Sequence, residues 1–82
     1  MVTVEFDVPF ERTVKKIKDN PLKEKVKKQI RKIIEYPEIG KPMMRNRKGT
    51  REVYVSPFRL SYLYLKKENK IVFLDLYHKD QQ

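Results

Sequence analysis

The chain of 82 residues has room for one domain, residues 1–82, and one modest core. At this size only roughly 60% of the unfolded chain's surface is buried, so a shallow, surface-built site is expected rather than a deep pocket. A net charge of +9 points to a polyanionic partner, and the absence of cysteine with a single histidine excludes disulfides, a thiolate zinc site and a histidine metal cluster.

The start, Met1-Val2-Thr3-Val4-Glu5, lacks the basic residues and long apolar run of a signal peptide. No segment approaches the roughly 20 apolar residues of a membrane span. A cytoplasmic protein with no membrane contact and no small-molecule cofactor is the expectation. Residues 2 to 8 alternate, with Val2, Val4, Phe6 and Val8 against Thr3, Glu5 and Asp7, which reads as a strand with one buried face. Pro9 ends it and can open a helix, in which Phe10, Val14 and Ile17 share one side. Asp19-Asn20-Pro21 is punctuation, with Asn20 as cap and Pro21 at the first helical position. Leu22, Val26, Ile30, Ile33 and Ile34 then form one apolar stripe to about Tyr36, so the two helices make an αα-hairpin. Lys27, Lys28 and Arg31 lie off that stripe and offer a basic docking surface.

Pro37 stops the second helix. Residues 37 to 50 contain Pro37, Gly40, Pro42 and Gly49 and read as a loop. Lys41, Arg45, Arg47, Lys48 and Arg51 lie in or beside it, with no acid between 39 and 51. Three strands follow, at about 51 to 56, 58 to 65 and 71 to 77, separated by the turns Ser56-Pro57 and Lys67-Glu68-Asn69. The last is nearly all apolar and predicts a central strand covered on both faces. The order β-α-α-β-β-β gives an α+β fold: an antiparallel meander with a helical hairpin packed on one face.

Much chemistry is excluded. Two glycines nine residues apart make no phosphate-cradling loop. No carboxylate pair stands out, and nothing marks Ser56 or Ser61 as a nucleophile toward His78. A cationic site remains. Strand alternation turns Phe58, Leu60 and Tyr62 toward the helices and Arg59 and Ser61 away. Glu52 and Tyr54 then share the outer face with Arg59, and Tyr77, His78 and Lys79 close the last strand. Arginine, tyrosine, histidine and lysine on one concave face suit metal-independent phosphodiester chemistry, because RNA carries its own nucleophile in the 2′-hydroxyl. His78 has the pKa range for acid or base work. Arg59 can bind a phosphate with two donors, and Tyr54 can stack on a base or donate a proton. The basic run Lys41, Arg45, Arg47, Lys48 and Arg51 would track the RNA backbone. The plainer readings are a surface histidine at a strand end and an arginine engaged in a local ion pair.

The β-αα-βββ order, the basic hairpin, the segment Phe58-Arg59-Leu60-Ser61-Tyr62 and the ending Leu76-Tyr77-His78-Lys79-Asp80 resemble the RelE/ParE toxin superfamily of type II toxin–antitoxin modules. The resemblance covers nearly the whole chain. It implies a cognate antitoxin as partner. For RelE-like members it also implies the ribosome and mRNA, which is cut during translation; ParE-like members act on DNA gyrase instead. Arg59 matches the family arginine that contacts the scissile phosphate. Lys79 lies near the arginine that follows the last strand in many members, and His78 precedes it, as in members ending His-Arg or His-Lys. The resemblance departs at Glu52 and Tyr54, where RelE-like enzymes often carry lysines, and beyond the last strand, where many members carry a tyrosine and this chain has Gln81-Gln82. A ribosome-dependent endoribonuclease toxin is the leading expectation. A gyrase-directed toxin, or a diverged member that only binds RNA or protein, stands beside it.

Overall fold

The computed structural model describes residues 2–43 and 49–78. Strand β1 (Thr3–Phe6) leads into helix α1 (Val8–Lys16) and helix α2 (Asn20–Glu35). Strands β2 (Lys41–Pro42), β3 (Thr50–Val55), β4 (Phe58–Leu65) and β5 (Lys70–His78) complete the order, with a 3-10 turn at Lys66–Glu68. The sheet order is β1-β5-β4-β3-β2. The meander is antiparallel, as expected, and β1 pairs with β5 in parallel.

The first strand is shorter than its alternation predicts. Asp7 leaves the strand to cap α1, its carboxylate accepting from Val8 N at 3.0 Å, and Val8 belongs to the helix with its side chain exposed. Asp19, not Asn20, caps α2; its Oδ1 accepts from Leu22 N at 3.4 Å while Asn20 is already helical. Residues 37 to 50 are not all loop, because Lys41 and Pro42 pair with Glu52 and Arg51. Asn69 takes a left-handed conformation, φ 51°, which closes the turn into β5.

The helices contribute Phe10, Val26 and Ile33 to one core, Ile17 joins it just past α1, and the sheet contributes Val55, Leu60, Tyr62, Ile71, Phe73 and Leu76. Phe73 is its centre. Its ring lies 5.2 Å from Phe6, 5.4 Å from Phe10 and 6.2 Å from Tyr62, centroid to centroid, in the offset and tilted range that aromatic quadrupoles favour.

The buried residues of β5 are Ile71, Phe73 and Leu76, spaced by two and then by three. The register explains the extra step: Tyr62 faces Phe73 and Ser61 faces Asp75, so Leu74 is a bulge with no partner of its own. Asp75 Oδ1 accepts from Leu76 N at 2.8 Å just beyond the bulge. The apolar run therefore does not mean burial on both faces. β5 is an interior strand of the sheet, but Val72, Leu74, Asp75 and Tyr77 are only partly buried. Two inward phases joined by a bulge produce the same hydrophobic string as a strand covered on both sides.

Phe73→Ala should destabilise the fold by about 3–5 kcal/mol, a large part of the total for a domain this small. Urea denaturation measures it; a loss below about 1 kcal/mol would remove Phe73 from the centre of the core.

Candidate active site

The bulge at Leu74 decides what reaches the outer face. A one-residue slip reverses every later side chain. With strict alternation from Ile71 and Phe73, Tyr77 would turn inward and His78 outward. After the bulge, Leu76 is inward, so Asp75 and Tyr77 face out with Arg59 and Ser61, their partners on β4. His78 pairs with Phe58 on the helix side, and the two rings meet edge to face with centroids 5.8 Å apart. The expectation that His78 shares a face with Arg59 is therefore wrong.

On the outer face, Tyr54 lies directly across from Arg59, and Glu52 lies across from both Ser61 and Lys41. Arg59 Nη1 donates to Glu52 Oε1 at 2.9 Å, and the Tyr77 hydroxyl donates to Glu52 Oε2. Both carboxylate oxygens are thus engaged by a cation and a phenol drawn from two further strands. The side chains of Arg59 and Glu52 are 32% and 19% exposed, so the pair is only partly screened by water. A shallow open depression beside it is lined by Lys41, Glu52, Tyr54 and Arg59. Tyr54 is 56% exposed and its hydroxyl makes a long contact of 3.5 Å to Ser56 Oγ.

Of the expected site residues, Arg59, Tyr54 and Lys41 converge, and His78 does not join them. Arg51 is also turned away. It faces Tyr62 across the β3–β4 pair, and its Nη1 donates to the carbonyls of Glu38 and Gly40 at 2.9 and 2.7 Å. Strand phase, which places Val53 and Val55 inward, places Arg51 inward too, where it holds backbone carbonyls. Lys27, Lys28 and Arg31 are exposed on α2, with Lys27 Nζ 3.6 Å from Glu24. Lys79, Arg45, Arg47 and Lys48 lie outside the described residues.

The sequence leaves the roles of two residues unassigned. Glu52 is expected on the face of Arg59 but with no part in the site, yet it is the centre of the cluster. Tyr77 stands at the end of the last strand without a role. The shared phase of Glu52 and Arg59 already makes them close neighbours in a hairpin turning at Ser56-Pro57, and the pairing follows from it. For Tyr77 the bulge has to be known first.

A small mixed sheet with two helices on one face is the fold of solved toxin structures from toxin–antitoxin systems. The toxin of the Escherichia coli RelBE toxin–antitoxin complex superposes with a TM-score of 0.79 at 18% identity, covering 95% of this chain and 96% of that one. The RelBE2 toxin–antitoxin complex from Mycobacterium tuberculosis gives 0.77 at 25% identity, over 95% and 98%. A YoeB/ParE toxin from Agrobacterium tumefaciens gives 0.81 at 13% identity, over 94% and 98%. No curated protein matches the chain in sequence. Residues 4–82 match the model of the ParE toxin of the type II toxin–antitoxin system parDE, and the chain belongs to that family within the RelE/ParE superfamily. It is a toxin of a type II toxin–antitoxin system. Among the described residues no helix is long and apolar enough to cross a membrane.

A double-mutant cycle of Glu52→Gln and Arg59→Gln on unfolding free energy should return a coupling of about 1 kcal/mol or more. The exposed Lys27–Glu24 pair should return no more than about 0.5 kcal/mol. Equal values would mean that the outer-face pair is no better shielded than a helix-surface pair.

Proposed function

We propose that this toxin is a metal-independent endoribonuclease that cuts mRNA on the ribosome, with Glu52, Arg59, Tyr54 and Lys41 around the scissile phosphate. The observation that carries the reading is the carboxylate and guanidinium held together at the rim of an open depression. Cleavage forms a bond from the 2′-oxygen to phosphorus and breaks the bond from phosphorus to the 5′-oxygen. Glu52 takes the proton of the 2′-hydroxyl. Tyr54, the exposed phenol across from Arg59, returns a proton to the departing 5′-oxygen. Arg59 uses one nitrogen on Glu52 and has further N–H groups for the two phosphate oxygens that gain charge. Lys41 adds a second cation at the edge, and the Tyr77 hydroxyl fixes the other oxygen of Glu52 so that the carboxylate presents itself in one orientation.

The partner that silences the toxin is an antitoxin, as in the E. coli RelBE and M. tuberculosis RelBE2 complexes. The lysines of α2 suit either an acidic segment of that antitoxin or ribosomal RNA, and counterion release makes both contacts salt-sensitive.

The second reading, a gyrase-directed toxin, is favoured by the turn of His78 away from the face. Supercoiling assays separate the two. The nuclease reading expects cleavage of mRNA in a translating extract and undiminished supercoiling by gyrase.

In that extract, Glu52→Gln should lower the cleavage rate by roughly 10²–10⁴-fold as a general base would, and Arg59→Ala by roughly 10²–10³-fold or more. His78→Ala should stay within about threefold of the parent, because its ring faces Phe58; that small limit follows from a residue outside the reacting groups. Cleavage that survives Arg59→Ala in a folded variant, or that vanishes with His78→Ala alone, would overturn the assignment.

A further inference from the structure

Lys41 enters the site from β2, and β2 has little of its own to hold it. The strand is two residues long, one of them a proline that has no N–H to give the ladder, and it lies at the edge of the sheet. Its neighbour Met43 donates to Thr50 O at 3.0 Å. The segment ahead of it, from Pro37 to Gly40, is instead gripped by two side chains from the inner phase of the sheet. The buried Tyr62 hydroxyl accepts from Gly40 N at 2.8 Å and donates to Pro37 O at 2.8 Å. The Arg51 guanidinium donates to Glu38 O and Gly40 O. Backbone groups that α2 no longer pairs and β2 does not yet pair are thereby satisfied. Burial pushes the Tyr62 phenol above its ordinary value, which keeps its proton available for the Pro37 carbonyl. Gly40 fits because it has no side chain: a Cβ there would stand 2.6 Å from the Tyr62 hydroxyl.

We propose that Tyr62 and Arg51 form a latch that positions Lys41 against the Glu52–Arg59 pair, so that two residues on the helix side of the sheet set the geometry of the reacting side. The proposal rests on the nuclease reading for its consequence in catalysis. The direction of action is fixed by the connectivity: the latch holds residue 40, and residue 41 faces Glu52. Tyr62 and Arg51 touch no substrate and are positioning residues. An edge cation that wanders by about 1 Å weakens its contact with a developing phosphorane without abolishing binding, so the effect belongs on the chemical step.

The test is a cycle of Tyr62→Phe and Lys41→Ala, read by single-turnover cleavage of an mRNA in a translating extract. Tyr62→Phe keeps the ring in the core and removes both hydrogen bonds. Each single variant should lose roughly tenfold in the cleavage rate, with little change in the concentration for half-maximal cleavage. The double variant should be no slower than Lys41→Ala, because without the ammonium there is nothing left to position. Multiplying losses, or a Tyr62→Phe variant as fast as the parent, would overturn the latch. If Tyr62→Phe does not fold, Arg51→Gln takes its place in the same cycle. Absence of cleavage by the parent protein would refute the nuclease reading instead. The latch is then read by NMR of the free protein. Faster exchange of the Gly40 amide with displaced Lys41 and Glu52 resonances in Tyr62→Phe supports it; unmoved Lys41 resonances refute it.

Discussion

The bulge at Leu74 is the constraint on which the outer face depends. Phe73 must lie inward to meet Phe6, Phe10 and Tyr62, and Leu76 must lie inward beside Leu60. Those two demands differ by three residues, which a regular strand cannot satisfy. The extra residue reconciles them and reverses the side chains at 75 to 78. Tyr77 comes out to the face that carries Arg59, and His78 goes in against Phe58. The composition of the site is thus a consequence of core packing some residues away.

Glu52 then organises what the bulge and the hairpin deliver. It draws a guanidinium from β4 and a phenol from β5 to its two oxygens. Such a pair is sheltered enough to be well defined and open enough to meet a ligand. Arg51 and Arg59 show how strand phase divides labour between identical side chains. Arg51 serves the backbone between α2 and β2, while Arg59 serves the outer face. Charge alone treats them as equals. Position within a pleated strand does not.

Most of the fold is legible in the sequence because its signals are local and periodic. The apolar stripe of α2, the alternation of β4 and the punctuation at Pro37 and Ser56-Pro57 each come from one short window. The Asp19 cap, one residue before the position expected, and β2, two residues long, lie below the resolution of such patterns. The site is half legible. Alternation in β3 and β4 puts Tyr54 and Arg59 on one face, and the register pairs them directly. Grouping Tyr77, His78 and Lys79 as one strand end misplaces His78, and the bulge that decides its side leaves no mark: Leu74 looks the same whether it lies in a regular ladder or outside one. Arg51 reads as a phosphate ligand because its true partners are backbone carbonyls, Glu38 O and Gly40 O, and carbonyls carry no sequence signature.

The positive charge of the chain divides accordingly. The α2 lysines Lys27 and Lys28 are exposed on the helix, whereas Arg59 and Lys41 lie beside the Glu52 carboxylate to which the proposal assigns the chemistry. Chemical-shift mapping with a short RNA blocked by 2′-O-methylation tests that division most directly. Saturating RNA should move the resonances of Glu52, Tyr54, Arg59 and Tyr77 and leave the His78 imidazole in place. Perturbation of His78 and the α2 lysines with an unmoved Glu52–Arg59 pair would contradict it.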